Sequence, residues 1–368
     1  MSSIDLASYF EFERAPDSLA DIDTPVPVID LAVVDRNITR WQARCDQLKL
    51  ANRPHIKTHK LVPLARAQVA AGARGITVQK LGEAEVMADG GISDLLLTFN
   101  VVGGQKLERL AGLRRRTEIA VTADSIEVAE GIGWAAGLAG RDIKVLIECD
   151  TGMGRCGVQS PQAALELGRA IGSIKGVSLG GLMTYPKTGG RAKMAAFLEE
   201  TRSLFQKFGL ACDTVSTGGT PEMWKNDGLG VASEYRAGTY VYQDRSQIAA
   251  GAADAADCAL TVLATVVSRP VPERAIVDAG SKSLTSDLLG MTGYGVLHGE
   301  ANAPVFALSE EHGFVDVSDL NSPPKVGDKV RIVPNHVCPV SNLFDRVVIA
   351  RGSVVLGYAR VDARGRVS

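Results

Sequence analysis

The sequence predicts an α/β fold, a (β/α)8 TIM barrel with a second, mainly antiparallel β domain. Three observations carry that expectation. At 368 residues the chain has room for one large barrel and a smaller domain. From about residue 25 short apolar runs alternate with longer helical stretches, the rhythm of repeated βα units. After Tyr242 that rhythm stops, and short β-rich runs separated by Pro, Gly and Asp take over.

The barrel strands are expected at residues 26–29, 55–58, 75–79, 94–98, 118–122, 144–148, 179–184 and 213–216. Helical patterns fill the gaps at 31–48, 61–71, 84–88, 125–138, 161–171 and 192–208. Eight strands at intervals of about 20 to 35 residues suit a barrel. A doubly wound dinucleotide sheet would carry a glycine fingerprint in its first βα turn, and none is there. Further β runs are expected at 259–267, 275–278, 313–317, 329–333 and 346–350.

Composition excludes some partners. Hydrophobic residues make up 45% and charged residues 22%, as in ordinary globular chains, and the net charge of −2 leaves no footprint for nucleic acid or an anionic membrane. The basic run Arg114-Arg115-Arg116 reads as a solvated helix end. No apolar stretch approaches the roughly 18 residues of a membrane span, and the acidic, polar start (Met1 to Asp17) does not read as a signal peptide. Six cysteines without paired spacing point to a reducing compartment, hence the cytoplasm.

The chain's chemistry centres on Arg53-Pro54-His55-Ile56-Lys57-Thr58-His59-Lys60. On a strand His55, Lys57 and His59 would share one side. A neighbouring cation and partial burial both lower a lysine's pKa and free an amine that can condense with a carbonyl. The same stretch also suits a basic strand end that solvates its charges. Four later segments follow expected strands: Gln79-Lys80 with Glu83 and Glu85, Asp150-Thr151-Gly152-Met153-Gly154-Arg155-Cys156-Gly157, Thr184-Tyr185-Pro186, and Ser216-Thr217-Gly218-Gly219-Thr220-Pro221. Hydroxyls and glycine amides in the last of these suit a phosphate, which barrels often bind after strands 7 and 8. In Pro334-Asn335-His336-Val337-Cys338-Pro339, extended chain would set His336 and Cys338 on one side, as two ligands of one metal.

These motifs, in this order, resemble those of the family of D-threonine aldolases and D-serine dehydratases, pyridoxal 5'-phosphate enzymes built like alanine racemase. The resemblance covers nearly the whole chain. It implies a barrel over residues 26–243, with 1–25 and 244–368 forming the β domain that carries the metal box. It implies that Lys57 holds the cofactor covalently, with Gln79, Arg155 and Tyr185 near it, and that Ser216, Thr217, Gly218, Gly219, Thr220, Gly238, Thr239 and Tyr240 form the phosphate site. Lys57, His59 and Tyr185 are the candidate catalytic residues. His336 and Cys338 would hold a divalent metal, and a Cys/His pair suits Zn²⁺ before Mn²⁺ or Mg²⁺.

The implied reaction is retro-aldol cleavage of a β-hydroxy-D-amino acid to glycine and an aldehyde. The alternative is a Zn-dependent dehydratase of D-serine or D-3-hydroxyaspartate. In this family the aldolases carry His-x-Asp at the metal box and the dehydratases His-x-Cys, so Cys338 leans one way while much of the barrel leans the other. An amino-acid racemase would leave the metal box without purpose. A non-enzymatic pyridoxal-phosphate carrier would not need the β domain. The scaffold also implies a homodimer.

Overall fold

The computed structural model describes residues 5–225 and 228–368. Its contacts divide the chain into two interleaved units. One comprises residues 1–40, 58–67 and 239–365, and the other 41–57, 68–238 and 366–368.

The second unit is the barrel. Its parallel strands lie in the order Ala51–Asn52, Glu234–Tyr235, Thr214–Thr217, Val177–Met183, Ile143–Glu148, Glu118–Ala123, Asp94–Leu97, Ile76–Val78. A parallel bridge between His55 and Thr77, with Thr77 N–H donating to Pro54 O at 2.8 Å, joins the first strand to the last. Helices Leu81–Asp89, Gly104–Arg116, Ile126–Ala139, Pro161–Ile171 and Arg191–Lys207 return the chain between strands. Ser125 and Ser160 cap two of them by accepting from the backbone N–H three residues on. Inside the barrel Leu96, Leu146 and Met183 pack as one apolar layer.

Two expected barrel strands are corrected. The run at 26–29 forms the strand Val26–Asp30 but belongs to the other unit's sheet, antiparallel to Leu260–Val271 and parallel to Arg346–Arg351. Four apolar residues do not say which sheet will take them. The run at 55–58 is no strand: His55 makes a single bridge and Ile56–Thr58 form a 3-10 turn. The vacant place in the ring is filled by Glu234–Tyr235, two residues that pair with Ser216–Thr217 and Ala51–Asn52. Thr214–Thr217 is therefore the seventh barrel strand.

The first unit holds a nine-stranded sheet, antiparallel except where Val26–Asp30 meets Arg346–Arg351. Leu260–Val271 pairs with Arg274–Val277 as well as with Lys329–Pro334, so six of its strands close on themselves. The runs expected beyond residue 258 are all strands here. The N-terminal segment folds back onto this sheet, with Glu13 bridging Tyr358 and Ser18 bridging Val354. Ile22, Val28, Leu263, Val348 and Tyr358 form its buried core. Among the described residues no helix is long and apolar enough to cross a membrane.

Candidate functional site

In the barrel unit the predicted residues gather where the parallel strands end, the rim on which barrel chemistry is built. The turn that presents Lys57 is shaped by its own imidazole. Lys57 N–H donates to His55 Nδ1 at 3.4 Å, which leaves the ring proton on Nε2, 3.1 Å from Gln79 Oε1. Gln79 Nε2 in turn donates to Thr98 O at 2.8 Å. The Gln79 amide is thus committed to holding His55, and through it the Lys57 turn. Lys57 itself is half-buried, and among the described residues its side chain has no hydrogen-bond or ion-pair partner.

The glycine-rich loop after Ile143–Glu148 wraps a carboxylate of its own. Asp150 accepts from the N–H groups of Gly152, Met153 and Gly154 at 2.8 to 3.2 Å. Burial would raise the Asp150 pKa, but these backbone bonds outweigh it and hold the group low. Gly157 is obligatory, because a Cβ there would lie 2.4 Å from Asp150 N. The loop presents Arg155, exposed, with its guanidinium 5.6 Å from the Tyr185 ring centre.

The turn at 216–220 divides by depth. Ser216 Oγ donates to Glu234 Oε1 at 2.5 Å and accepts from Arg236 Nη1 at 2.7 Å, and Thr217 Oγ1 donates to Met194 Sδ. The Ser216 hydroxyl points into the barrel, and the Thr217 hydroxyl points outward to the helix Arg191–Lys207 that carries Met194. Gly218 (φ +94°) and Gly219 bring bare backbone against Tyr235 and Tyr185, where any Cβ would fall within 3 Å of a ring carbon. Thr220 Oγ1 accepts from Gly238 N–H at 3.3 Å, which ties this turn to the one after Glu234–Tyr235. Tyr185, Arg191, Thr217, Gly218 and Gly219 line a narrow cleft. A backbone cradle with a hydroxyl and a cation at its edge fits a phosphate, so these residues fit the cofactor that the resemblance implies.

Sequence reasoning missed the charge lattice beneath this rim. Arg53 joins Glu234 at 2.6 Å and Asp94 at 2.7 Å, while Arg236 Nη2 donates to Thr184 O at 2.8 Å. Burial lowers the Arg236 pKa to about 10 despite Glu234 and Glu148 nearby. Burial likewise raises that of Glu148, against the pull of Arg155 and Arg236. The available signal was the alternation Glu234-Tyr235-Arg236, which on a barrel strand sends both charges inward.

The remaining predicted residues lie in the other unit. His59 is buried, and its Nδ1 accepts from Leu61 N–H at 3.0 Å, so the neutral ring carries its proton on Nε2. Tyr240 is fully buried, and Thr239 Oγ1 is 3.8 Å from Cys338 Sγ. Thr58, the residue after Lys57, places its hydroxyl 3.2 Å from the same sulfur. His336 and Cys338 are adjacent and hydrogen-bonded, though not by strand alternation: His336 is the N-cap of the helix Val337–Leu343 and Cys338 lies in its first turn. His336 Nδ1 lies 2.9 Å from Asp287 Oδ2. Burial would lower the His336 pKa, but Cys338 and Asp287 raise it to about 9. An imidazole and a thiol side by side, with a carboxylate behind the ring, are a donor set that fits Zn²⁺.

Comparison with known proteins follows the same order along the chain. A model of the alanine racemase N-terminal domain matches residues 29–246, and a serine dehydratase domain model matches 259–350. A D-threonine aldolase of Arthrobacter sp is 37% identical over 363 residues, covering 95% of this chain and 94% of that one. The solved D-threonine aldolase from Filomicrobium marinum superposes with a TM-score of 0.90 at 34% identity, covering 97% of this chain and all of the other. The D-threo-3-hydroxyaspartate dehydratase from Delftia sp. HT23 superposes with a TM-score of 0.83 at 32% identity, covering 94% of this chain and 99% of the other. Variants of D-threo-3-hydroxyaspartate dehydratase at a histidine and at a cysteine two positions further on are also among the similar structures, the cysteine variant in a metal-free form.

Proposed function

The chain belongs to the family of pyridoxal-phosphate-dependent lyases that holds D-threonine aldolases and 3-hydroxyaspartate dehydratases, and on that premise we propose that it cleaves β-hydroxy-D-amino acids to glycine and an aldehyde. One observation carries the choice of an aldolase. The similarity to D-threonine aldolases is the stronger over nearly the whole chain, 37% identity and a TM-score of 0.90 against 34% and 0.83 for the D-threo-3-hydroxyaspartate dehydratase of Delftia sp..

Pyridoxal phosphate, when bound, supplies a ring that draws electrons from the substrate's α-carbon. Lys57 would hold its aldehyde carbon, Arg155 would face its phenolic oxygen, and Tyr185 would lie against the ring. The backbone of 218–220, with Thr220 and Gly238 and then Thr239 and Tyr240, would receive the phosphate. Ser216, Thr217 and Gln79 act one layer deeper, holding the rim. His336 and Cys338 would hold a divalent ion, Zn²⁺ before Mn²⁺ or Mg²⁺, whose chemistry is to acidify the substrate's β-hydroxyl. With Nδ1 occupied by Leu61 N–H, His59 offers a proton at Nε2 rather than taking one, so we assign it to holding the hydroxyl oxygen. We further propose a homodimer working in the cytoplasm, in keeping with the free cysteines.

A dehydratase is the second reading, and Cys338 favours it, since His336 and Cys338 have the spacing of the pair varied in the solved dehydratases. There Lys57 would take the α-proton and the metal pair would hold the departing hydroxyl. Product identification separates the two. The protein loaded with pyridoxal phosphate and Zn²⁺ is incubated with D-threonine and with D-serine. Glycine with acetaldehyde from D-threonine supports the aldolase, a 2-oxo acid with ammonia supports the dehydratase, and no turnover of these two or of D-3-hydroxyaspartate, run as a third substrate, defeats both. Chelation should stop turnover while the cofactor's absorption persists.

A further inference from the structure

We infer that Asp287 is the positioning residue of the His336/Cys338 pair: it holds the His336 ring by Nδ1, so that Nε2 is the nitrogen offered to the divalent ion. The inference rests on the metal part of the proposed function. A carboxylate only accepts, so the 2.9 Å contact from His336 Nδ1 to Asp287 Oδ2 places a proton on Nδ1. The two ring nitrogens point away from each other, so Asp287 cannot join the ion that Nε2 binds while it keeps this bond. It is an outer partner, and imidazole ligands are oriented and made more basic by such partners.

Two features argue that the contact is built for the ring. Among the described residues His336 is the Asp287 carboxylate's one partner, so the side chain has no second structural task. The loop that carries Asp287 is also deliberately turned towards the box. Thr285 (φ 66°) and Leu289 (φ 49°) both adopt left-handed backbone, which costs energy for residues with a side chain. Asn335, next to His336, clamps the loop by donating to Asp287 O at 3.1 Å and Gly293 O at 2.8 Å, and Arg245 fixes Asn335 through its Oδ1 at 2.6 Å. A different carboxylate handles the backbone of the box. Buried Asp244 accepts from Val337 N–H at 3.1 Å. Asp244 therefore sets where the box lies, and Asp287 sets which way its imidazole faces.

The test compares Asp287→Ala and Asp287→Asn with the unaltered protein, all carrying pyridoxal phosphate. Zn²⁺ affinity is read by competition with a chromophoric chelator, and the Nδ1–H proton of His336 by NMR of the Zn²⁺-loaded, ¹⁵N-labelled protein. Asp287→Ala should bind Zn²⁺ about 10- to 100-fold more weakly and lose the slowly exchanging Nδ1–H signal. Asp287→Asn keeps an acceptor oxygen and should recover part of the affinity and the signal. The cofactor's absorption and the Tm of the metal-free forms should not move. Equal Zn²⁺ affinity in Asp287→Ala overturns the inference alone. So does a loss shared by both variants that follows a fall in metal-free Tm. If the unaltered protein holds no Zn²⁺, the metal part of the proposed function falls and the inference with it.

Discussion

Replacing Gly218 with alanine puts the proposed phosphate turn under a load that can be worked out from its surroundings. Gly218 has φ +94°, and an L residue held left-handed costs roughly 1–2 kcal/mol. The new Cβ would lie 2.4 Å from Tyr235 Cζ and 2.5 Å from each Cε, so the whole far end of the ring must shift; rotation does not relieve it. That ring is buried, packs edge-on to Trp41 with centroids 5.0 Å apart, and donates its hydroxyl to Gly219 O at 2.9 Å. Overpacking costs about 1–3 kcal/mol and the broken hydrogen bond about 1 kcal/mol. Gly218→Ala should therefore lose roughly 3–6 kcal/mol of stability and weaken cofactor binding as Gly219 moves with the ring. Urea unfolding and pyridoxal-phosphate titration read the two effects. Gly137→Ala is the control: it lies within the helix Ile126–Ala139, and among the described residues nothing beyond that helix's own backbone comes within 4 Å of its would-be Cβ, so alanine should gain about 0.5–1 kcal/mol. A Gly218→Ala protein within about 0.5 kcal/mol of the original, with unchanged cofactor affinity, would refute the reasoning.

Lys57→Ala should abolish the visible absorption of covalently held cofactor without unfolding the protein, since among the described residues the side chain has no hydrogen-bond or ion-pair partner to lose. If borohydride then fixes the cofactor to Lys60 or Lys80, the assignment is wrong. Glu148→Gln probes the buried lattice through pH. Burial raises the folded pKa above 4.5, with Asp124 adding to it and Arg155, Arg236 and Thr122 opposing. The folded state thus binds this proton more tightly than the unfolded one. The contribution is fully present below about pH 4.5 and lost as pH rises through the folded pKa. Glutamine, always neutral, escapes that loss, so its Tm advantage should be largest near neutrality and shrink towards pH 4.5. A Tm difference that stays constant from pH 4 to pH 8 would contradict this.

Local chemistry was legible in the sequence because its causes lie within a few residues. Period-2 runs and helical repeats gave the βα rhythm, Pro54 and the glycines marked the turns, and His336-x-Cys338 is close enough in the chain to meet on a strand or, as here, from an extended N-cap to the first helical turn. Ladder partners were not legible. Val26–Asp30 looks like any buried strand, and only the register Val26 to Leu263 and Val28 to Val348 assigns it to its sheet. Glu234–Tyr235, two residues long, carries no periodicity at all and becomes a barrel strand because its neighbours leave one place to fill. The turn at Lys57 needed the His55 imidazole to accept a backbone N–H, a bond that competes with extended chain but that no propensity scale contains. The Arg53–Glu234 pair spans 181 residues and Asp287–His336 spans 49. Charges so far apart in sequence meet only after the backbone has closed. The tertiary structure alone therefore decided which polar groups stand behind the residues that the motifs had named.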